Sequence, residues 1–289
     1  MKTRFSPTPN GLLHLGNLFN LLWVQIHSAK KNLSRGLRID DYDRNRSRVE
    51  YVDHIFKVLD LIGYEWTEGP SNTSDFYKNH SSRLRMDLYR DAFNLLSKSE
   101  NTYWCECTRK DQPSPIYDGR CRDLNKTNDK KTQLRFNTHQ SPSYLGQDLE
   151  KQIGDIILWT RGGLPAYQLA SVVDDDHYAY DYIVRGDDLK PSSAMQIAIA
   201  AELNSKFRSA DFVHHRLLMD CDDTKVSKSK SADSVLDLLE SRDGVQKALS
   251  YFVVEYSKCF DPVLDIKRFA KVSKLSELIT ELEGNDVQL

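Results

Sequence analysis

The first thirty residues constrain the fold most strongly, because they predict a short strand followed at once by a loop and a helix. Residues 3–6 suit a strand, which the breaker cluster 7–11 (Pro-Thr-Pro-Asn-Gly) ends. From Leu15 to Ile26, apolar side chains recur at roughly helical spacing. A strand, a glycine-bearing loop and a helix form the beginning of a βαβ unit. The start of the chain therefore predicts an α/β fold.

Strand and helix signals alternate further along the chain as well. Residues 37–40 suit a second strand, and Ser47 with Glu50 three residues on reads as a capping box that starts a second helix. Similar signals return at 182–185, after Pro191 and near 212–214, and the last fifty residues look helical. This alternation predicts a parallel sheet with right-handed crossovers.

Residues 103–165 interrupt the alternation. They are rich in Thr, Asn, Asp, Lys and Pro, and they hold three of the five cysteines. We therefore predict an α/β domain from residues 1–102 and 166–235, an inserted subdomain over 103–165, and a helical C-terminal segment over 236–289.

Bulk composition is that of a soluble globular protein, with 39% hydrophobic and 28% charged residues. No apolar stretch approaches the roughly 20 residues that cross a bilayer, and prolines near the start interrupt any signal-peptide core. We expect a cytoplasmic monomer without disulfides. The net charge of −2 leaves nucleic-acid binding to local basic patches, such as those at 44–48, 126–131 and 225–230.

Two short motifs suit a polyphosphate. His14-Leu15-Gly16-Asn17 stands at a predicted helix N-terminus, where backbone N–H groups attract anions, Gly16 lets a ligand approach and His14 can donate to a phosphate oxygen. Lys225 and Lys228, three apart on a small-residue loop with Ser227, can both reach one polyphosphate. Each motif alone is also compatible with an ordinary exposed loop.

A third motif suits a metal. Cys105 and Cys107 are separated by one residue, and Tyr117-Asp118-Gly-Arg-Cys121 follows. Three thiolates leave one tetrahedral position for Tyr117, Asp118 or water. Buried free thiols are the alternative.

Taken together, the motifs resemble those of class I glutamyl-tRNA synthetases. Residues 4–16 resemble the first signature of the class in its glutamyl version, and residues 225–229 resemble the second. Residues 37–47, 166–175 and 184–189 match the same family in order and spacing. The resemblance implies a Rossmann-like enzyme in which the glutamate carboxylate attacks the α-phosphate of ATP-Mg²⁺ to give glutamyl-adenylate.

Carried over position by position, the resemblance implies roles for individual residues. The catalytic residues would be His14, Gly16, Lys225 and Lys228, and the other ATP contacts would be Pro7, Asn17 and Ser227. The amino-acid pocket would be lined by Arg4, Thr8, Asp40, Tyr167, Ser171 and Arg185. Asp40 replaces the usual glutamate and Ser171 an amide side chain, so the amino acid itself stays open. Internal ion pairs of Arg4 or Arg185 with Asp40 or Asp187 are the competing interpretation.

The cysteine segment most closely resembles the zinc segment of the short glutamyl-queuosine tRNA(Asp) synthetases. That resemblance implies a structural Zn²⁺ held by Cys105, Cys107, Tyr117 and Cys121 in an acceptor-binding-like insertion. The chain ends soon after the second signature, so we expect no anticodon-binding domain. Glutamyl transfer to queuosine in tRNA(Asp) is the favoured function. Activation for a tRNA 3′ end, a carrier protein or a small molecule, and an inactive nucleotide- or tRNA-binding regulator, are the alternatives.

Overall fold

The computed structural model describes residues 1–112, 114–139, 141–217, 235–241 and 243–249, with residues 252 and 277. The chain forms two compact units, one comprising Met1–Ser81, Val184–Asp187 and Val213–Leu289, the other Ser82–Ile183 and Asp188–Phe212. The cysteine-bearing segment lies wholly within the second unit. The division into domains at 103, 166 and 236 remains a proposal.

The first unit begins with the strand–loop–helix arrangement that the sequence predicts. Its elements are β1 (Lys2–Phe5), α1 (Leu15–Lys30), β2 (Ser34–Leu37), α2 (Val49–Ile62), α3 (Thr73–Asp75) and α8 (Val235–Glu240), with a π-helical turn at Phe76–His80. Strands β1 and β2 pair in parallel, from Lys2 opposite Ser34 to Phe5 opposite Leu37. The predicted parallel pairing is therefore confirmed.

Helices α1 and α2 supply much of the core of this unit. Helix α1 is buried almost all round over residues 21–28, as expected for a helix enclosed by its neighbours. Helix α2 is amphipathic, burying Val52, Ile55 and Leu59 on one face. Gly63 ends α2 in the left-handed conformation, at φ 71°, where an L side chain would be strained.

The predicted start of α2 is wrong by one residue, because Ser47 is not the N-cap. The helix begins at Val49 with Arg48 as its N-cap, and no side chain caps it. Ser47 instead belongs to the preceding turn, where its N–H donates to the carbonyl of Asp43 at 3.0 Å. The second strand also lies three residues earlier than the predicted 37–40.

The second unit contains a small antiparallel sheet in the order β3 (Thr102–Cys105), β4 (Gln133–Phe136), β5 (Ile157–Trp159). Its helices are α4 (Met86–Leu96), α5 (Leu149–Gln152), α6 (Tyr167–His177) and α7 (Lys190–Glu202), with 3-10 turns at Ser82–Arg85, Arg109–Asp111 and Lys206–Ser209. Strand β6 (Tyr182–Gly186) pairs with β7 (Asp211–His215), and both strands, like the 3-10 turn Asp187–Leu189, have residues in each unit. Among the residues that the structure describes, none of the helices combines the length and the apolar composition that a membrane span requires.

Candidate active site and metal centre

The loop before α1 places His14 as the N-cap of the helix. Its Nδ1 accepts the backbone N–H of Gly16 at 3.1 Å, and its own N–H donates to Oδ1 of Asn17 at 3.0 Å. The two bonds form a reciprocal capping box. Asn17 is thus a structural cap.

Gly16 is required by the same arrangement. A Cβ at this position would lie 2.9 Å from Cε1 and 3.1 Å from Nδ1 of His14. Any side chain would therefore push the imidazole off the helix end. The sequence predicts that Gly16 leaves room for a ligand. The structure shows that Gly16 also leaves room for the imidazole of His14, which caps the helix.

The loop after β1 and the segment after β2 run side by side at the carboxyl ends of the two strands. Beyond the strands, the carbonyl of Pro7 accepts the N–H of Asp40 at 2.9 Å, and Phe5 similarly accepts from Arg38 at 3.0 Å. Arg4 and Asp40 are both 3% exposed. Pro7 and Asp40 therefore lie side by side at the strand ends, where open α/β sheets bind ligands. Thr8 follows Pro7 directly, and Arg4 lies within β1.

Asp40 already has a cationic partner that the sequence analysis missed. Nε of Arg38 donates to Oδ1 of Asp40 at 2.7 Å, and Nη2 donates to Oδ2 at 3.1 Å. Both side chains are buried. Residues two apart in an extended segment lie on the same face, so the sequence Arg-x-Asp carried the signal for this pair.

The remaining pocket residues belong to different elements. Arg185 lies on β6 and is 5% exposed. Tyr167 and Ser171 belong to the second unit, where they lie one turn apart on α6. The Ser171 side chain is buried, with its Oγ 3.5 Å from the Asp175 carboxylate. Lys225, Ser227 and Lys228 fall outside the described residues.

The three cysteines of the insertion converge with Tyr117. The Sγ atoms of Cys105, Cys107 and Cys121 all lie within 4.8 Å of one another. The Tyr117 hydroxyl is 3.3 Å from Sγ of Cys105 and 3.2 Å from Sγ of Cys107, and the Cys107 and Cys121 sulfurs are 3.5 Å apart. All four predicted ligands therefore form one cluster. Asp118, the other candidate ligand, instead forms an ion pair with Arg120, with Oδ2 of Asp118 2.7 Å from Nη2 of Arg120.

Neighbouring side chains hold this cluster in place. The Arg135 guanidinium lies 3.8 Å above the Tyr117 ring and donates to the carbonyl of Asp155 at 2.6 Å. The Asp155 carboxylate accepts two hydrogen bonds from Arg122, next to Cys121 in sequence, at 2.6 and 2.9 Å. Supporting contacts of this kind orient the ligands of metal sites.

The surroundings of Cys105 and Cys107 shift the pKa values of their thiols in opposite directions. Burial opposes the Cys105 thiolate, but hydrogen bonds involving Tyr117 and Arg135 outweigh it and lower the pKa of Cys105 to about 7. Burial raises the pKa of Cys107 to about 11, where the neighbouring thiols add to the effect. Burial and hydrogen bonds to the cysteines also raise the pKa of Tyr117. Cys105 is thus the thiol of this pair that ionises more readily near neutral pH.

The fold and these motifs define a class I aminoacyl-tRNA synthetase catalytic domain. A glutamate-tRNA synthetase of Elizabethkingia anophelis shares the fold, with a TM-score of 0.67 over 80% of this chain and 53% of that one, at 21% identity. A methionyl-tRNA synthetase of Mycobacterium tuberculosis also shares it, with a TM-score of 0.56 over 88% of this chain and 64% of that chain, at 12% identity.

The particular family is the catalytic domain of class I tRNA synthetases (E and Q), whose model matches residues 1–256, and the chain belongs to it. The glutamate–tRNA ligase of Thermodesulfovibrio yellowstonii is 31% identical over 82% of this chain and 52% of its own length. A glutamate–tRNA ligase of Syntrophus aciditrophicus is 29% identical over 96% of this chain and 60% of its own. The chain thus spans between half and two thirds of these relatives.

Proposed function

We propose that this chain activates glutamate with ATP-Mg²⁺ and transfers the glutamyl group to queuosine in the anticodon loop of tRNA(Asp). In the first step a glutamate carboxylate oxygen attacks the α-phosphorus, and pyrophosphate leaves. In the second, a hydroxyl of the queuosine ring attacks the activated carbonyl carbon, and AMP leaves with the bonding electron pair. Neither step needs a protein nucleophile, so positioning and charge carry the catalysis.

The end of α1 supports ATP binding. Because Nδ1 of His14 accepts the Gly16 N–H, the proton of the neutral ring resides on Nε2, which can donate to a phosphate oxygen. The helix N-terminus adds a positive dipole end. In this proposal Lys225 and Lys228, with Ser227, neutralise the charge that develops on departing pyrophosphate.

The strand ends support amino-acid binding. Arg4 and Arg185 are buried guanidinium groups, and either can receive a γ-carboxylate through two parallel hydrogen bonds. Asp40 takes the α-ammonium, and Arg38 fixes the orientation of its carboxylate. Thr8, Tyr167 and Ser171 complete the set that we assign to glutamate.

Zinc fits the cluster in the insertion. Zinc–sulfur bonds of about 2.3 Å give tetrahedral S···S edges of about 3.8 Å, near the 3.5 Å between the Cys107 and Cys121 sulfurs. The Tyr117 oxygen, close to two of the sulfurs, would supply the fourth ligand. Three thiolates and a phenol oxygen are a donor set that Zn²⁺ accepts. Bound there, the metal would cross-link the insertion, and no reaction step passes through it.

The position of Tyr117 beside the three cysteines is the observation that favours queuosine as the acceptor. A tyrosine among three cysteines is the feature by which this segment resembles the glutamyl-queuosine tRNA(Asp) synthetases. A second candidate is activation of another amino acid, or transfer to another acceptor. Asp40 is one methylene shorter than the glutamate usual in this family, and it is paired with Arg38. This difference in the group that would receive the α-ammonium favours the second candidate.

The acceptor is tested with labelled glutamate, ATP and Mg²⁺ and four tRNA(Asp) preparations. These carry or lack queuosine, each with and without the 3′-terminal adenosine. We expect label on both queuosine-containing preparations and on neither of the others. Label that requires the terminal adenosine would instead support a 3′-end acceptor.

A further inference from the structure

A cavity of about 660 Å³ lies in the first unit beside the end of α2 and the segment that follows it. Its size is typical of small-molecule pockets. Three aromatic and three charged residues line most of it: Phe56, Tyr64, Trp66, Arg35, Asp60 and Glu65. The proposed reaction uses none of them.

The aromatic wall is fixed in position. The Tyr64 and Trp66 rings are stacked with centroids 6.0 Å apart, and the Phe56 ring lies 6.3 Å from that of Trp66. Nε1 of Trp66 donates to the carbonyl of Pro70 at 3.1 Å, which sets the orientation of the indole. A preorganised wall of this kind can bind a flat ring with little loss of side-chain entropy.

Tyr64 supplies a polar group that lacks a partner. The residue is 3% exposed and, in the part of the chain that the structure describes, its hydroxyl has no hydrogen-bond partner. Burial raises the pKa of Tyr64, so the group keeps its proton and can donate. Leaving a buried hydroxyl without a partner costs free energy.

The charged residues narrow the class of ligand. None of Arg35, Asp60 and Glu65 forms an ion pair with another described residue. A bare phosphate would be repelled by the two carboxylates, and a simple cation by Arg35. A flat, neutral ring fits better. Donors on one edge can bind the carboxylates, acceptors on another edge can bind Arg35, and the face of the ring can stack on the aromatic wall.

We propose that this cavity binds a guanine base. Guanine carries two adjacent donors, N1–H and N2–H, which match a carboxylate of Asp60 or Glu65, and two adjacent acceptors, O6 and N7, which match the Arg35 guanidinium. Its face stacks on the ring of Trp66 or Phe56. The base can come from a free guanine nucleotide or from an unpaired guanosine of an RNA strand. The site is independent of the adenylation reaction proposed above.

Binding is measured by calorimetry on the full chain, with saturating ATP present to occupy the adenylation site. The probes are 5′-GMP, 5′-AMP, single-stranded oligouridine, and the same oligouridine with one guanosine. The two nucleotides form one pair of probes and the two oligonucleotides the other. In at least one pair, we expect the probe that contains guanine to bind at least about tenfold more tightly than the probe that lacks it. The double variant Asp60→Asn/Glu65→Gln should lose about tenfold in that affinity. Glu68→Gln should not, because Glu68 lies outside the cavity lining and pairs with Lys2 at 3.1 Å.

A preference for GMP assigns the site to a free nucleotide, and a preference seen only with the oligonucleotide assigns it to RNA. Equal affinity for the members of both pairs would overturn the proposal. So would a guanine preference that the double variant retains while its circular dichroism and unfolding midpoint match those of the parent protein.

Discussion

Among single residues, Tyr117 gives the most direct test of the proposed zinc site, because its hydroxyl lies where a fourth zinc ligand would bind. Tyr117→Phe keeps the ring beneath Arg135 and removes only the oxygen. We expect zinc affinity, measured by competition with a chromophoric chelator, to fall at least about tenfold. Tyr144→Phe, outside the cluster, is the matched control. An unchanged affinity in Tyr117→Phe would show that the phenol is not a ligand.

Gly16 offers a second test at this scale. Gly16→Ala places a methyl group 2.9 Å from the His14 ring, so the ring must leave the helix end. We expect a stability loss of about 1 kcal/mol from the lost cap and a clear drop in kcat/KM for ATP in glutamate-dependent pyrophosphate exchange. Gly11→Ala is the control, because a Cβ there meets no atom within 4 Å. Equal effects of the two substitutions would contradict this role for Gly16.

Short motifs with strong local geometry could be predicted from the sequence, whereas contacts made by long side chains could not. The cluster of Cys105, Cys107, Tyr117 and Cys121 followed from spacing and resemblance. Arg135 comes to Tyr117 through the pairing of β4 with its neighbours, and no local pattern marks it. Arg38 was detectable from the two-residue spacing to Asp40 and was overlooked.

At the scale of elements, a buried ion pair links α6 to the 3-10 turn Ser82–Arg85, which leads directly into α4. The Arg85 guanidinium donates to both oxygens of Asp174 at 2.8 and 2.7 Å, and the Tyr89 hydroxyl donates to the same carboxylate at 2.8 Å. We expect Asp174→Asn to lower the free energy of unfolding by about 3–5 kcal/mol in urea titrations, since it leaves a buried cation unpaired.

The double variant Arg85→Met/Asp174→Leu is the control for that prediction. It removes both charges, so it should be less destabilised than Asp174→Asn. A double variant that is as unstable as the single one, or more so, would contradict the importance of the unpaired charge.

Helix α1 carries a pH-sensitive residue in its buried face. Burial, with the nearby Lys31, Lys30 and His215, lowers the pKa of His27 to about 4. Between pH 6.5 and 4 the unfolded chain therefore binds more protons than the folded one, and stability falls as the pH falls through this window. We expect a loss of about 1 kcal/mol between pH 7 and 5.5 from this residue. In urea titrations, His27→Gln should show that much less pH dependence, and an identical pH profile would contradict the assignment.

Element boundaries were less predictable than element types. The parallel pairing of β1 with β2 followed from the alternation of strand and helix signals. The Ser47 and Glu50 spacing matched a capping box, yet the turn from Asp43 uses the Ser47 N–H, and the helix starts at Val49 without a side-chain cap. A competing local turn here outweighed the capping-box pattern.

For the whole molecule, the family is fixed by a match over residues 1–256, while the amino acid and its acceptor are proposed from the site. The central claim is that the acceptor is queuosine. After a reaction with labelled glutamate, tRNA(Asp) is digested under mildly acidic conditions that preserve the ester, and the labelled nucleoside is identified by mass spectrometry. The account predicts label on queuosine and none on the terminal adenosine. Label on the terminal adenosine, or on neither nucleoside, would contradict it.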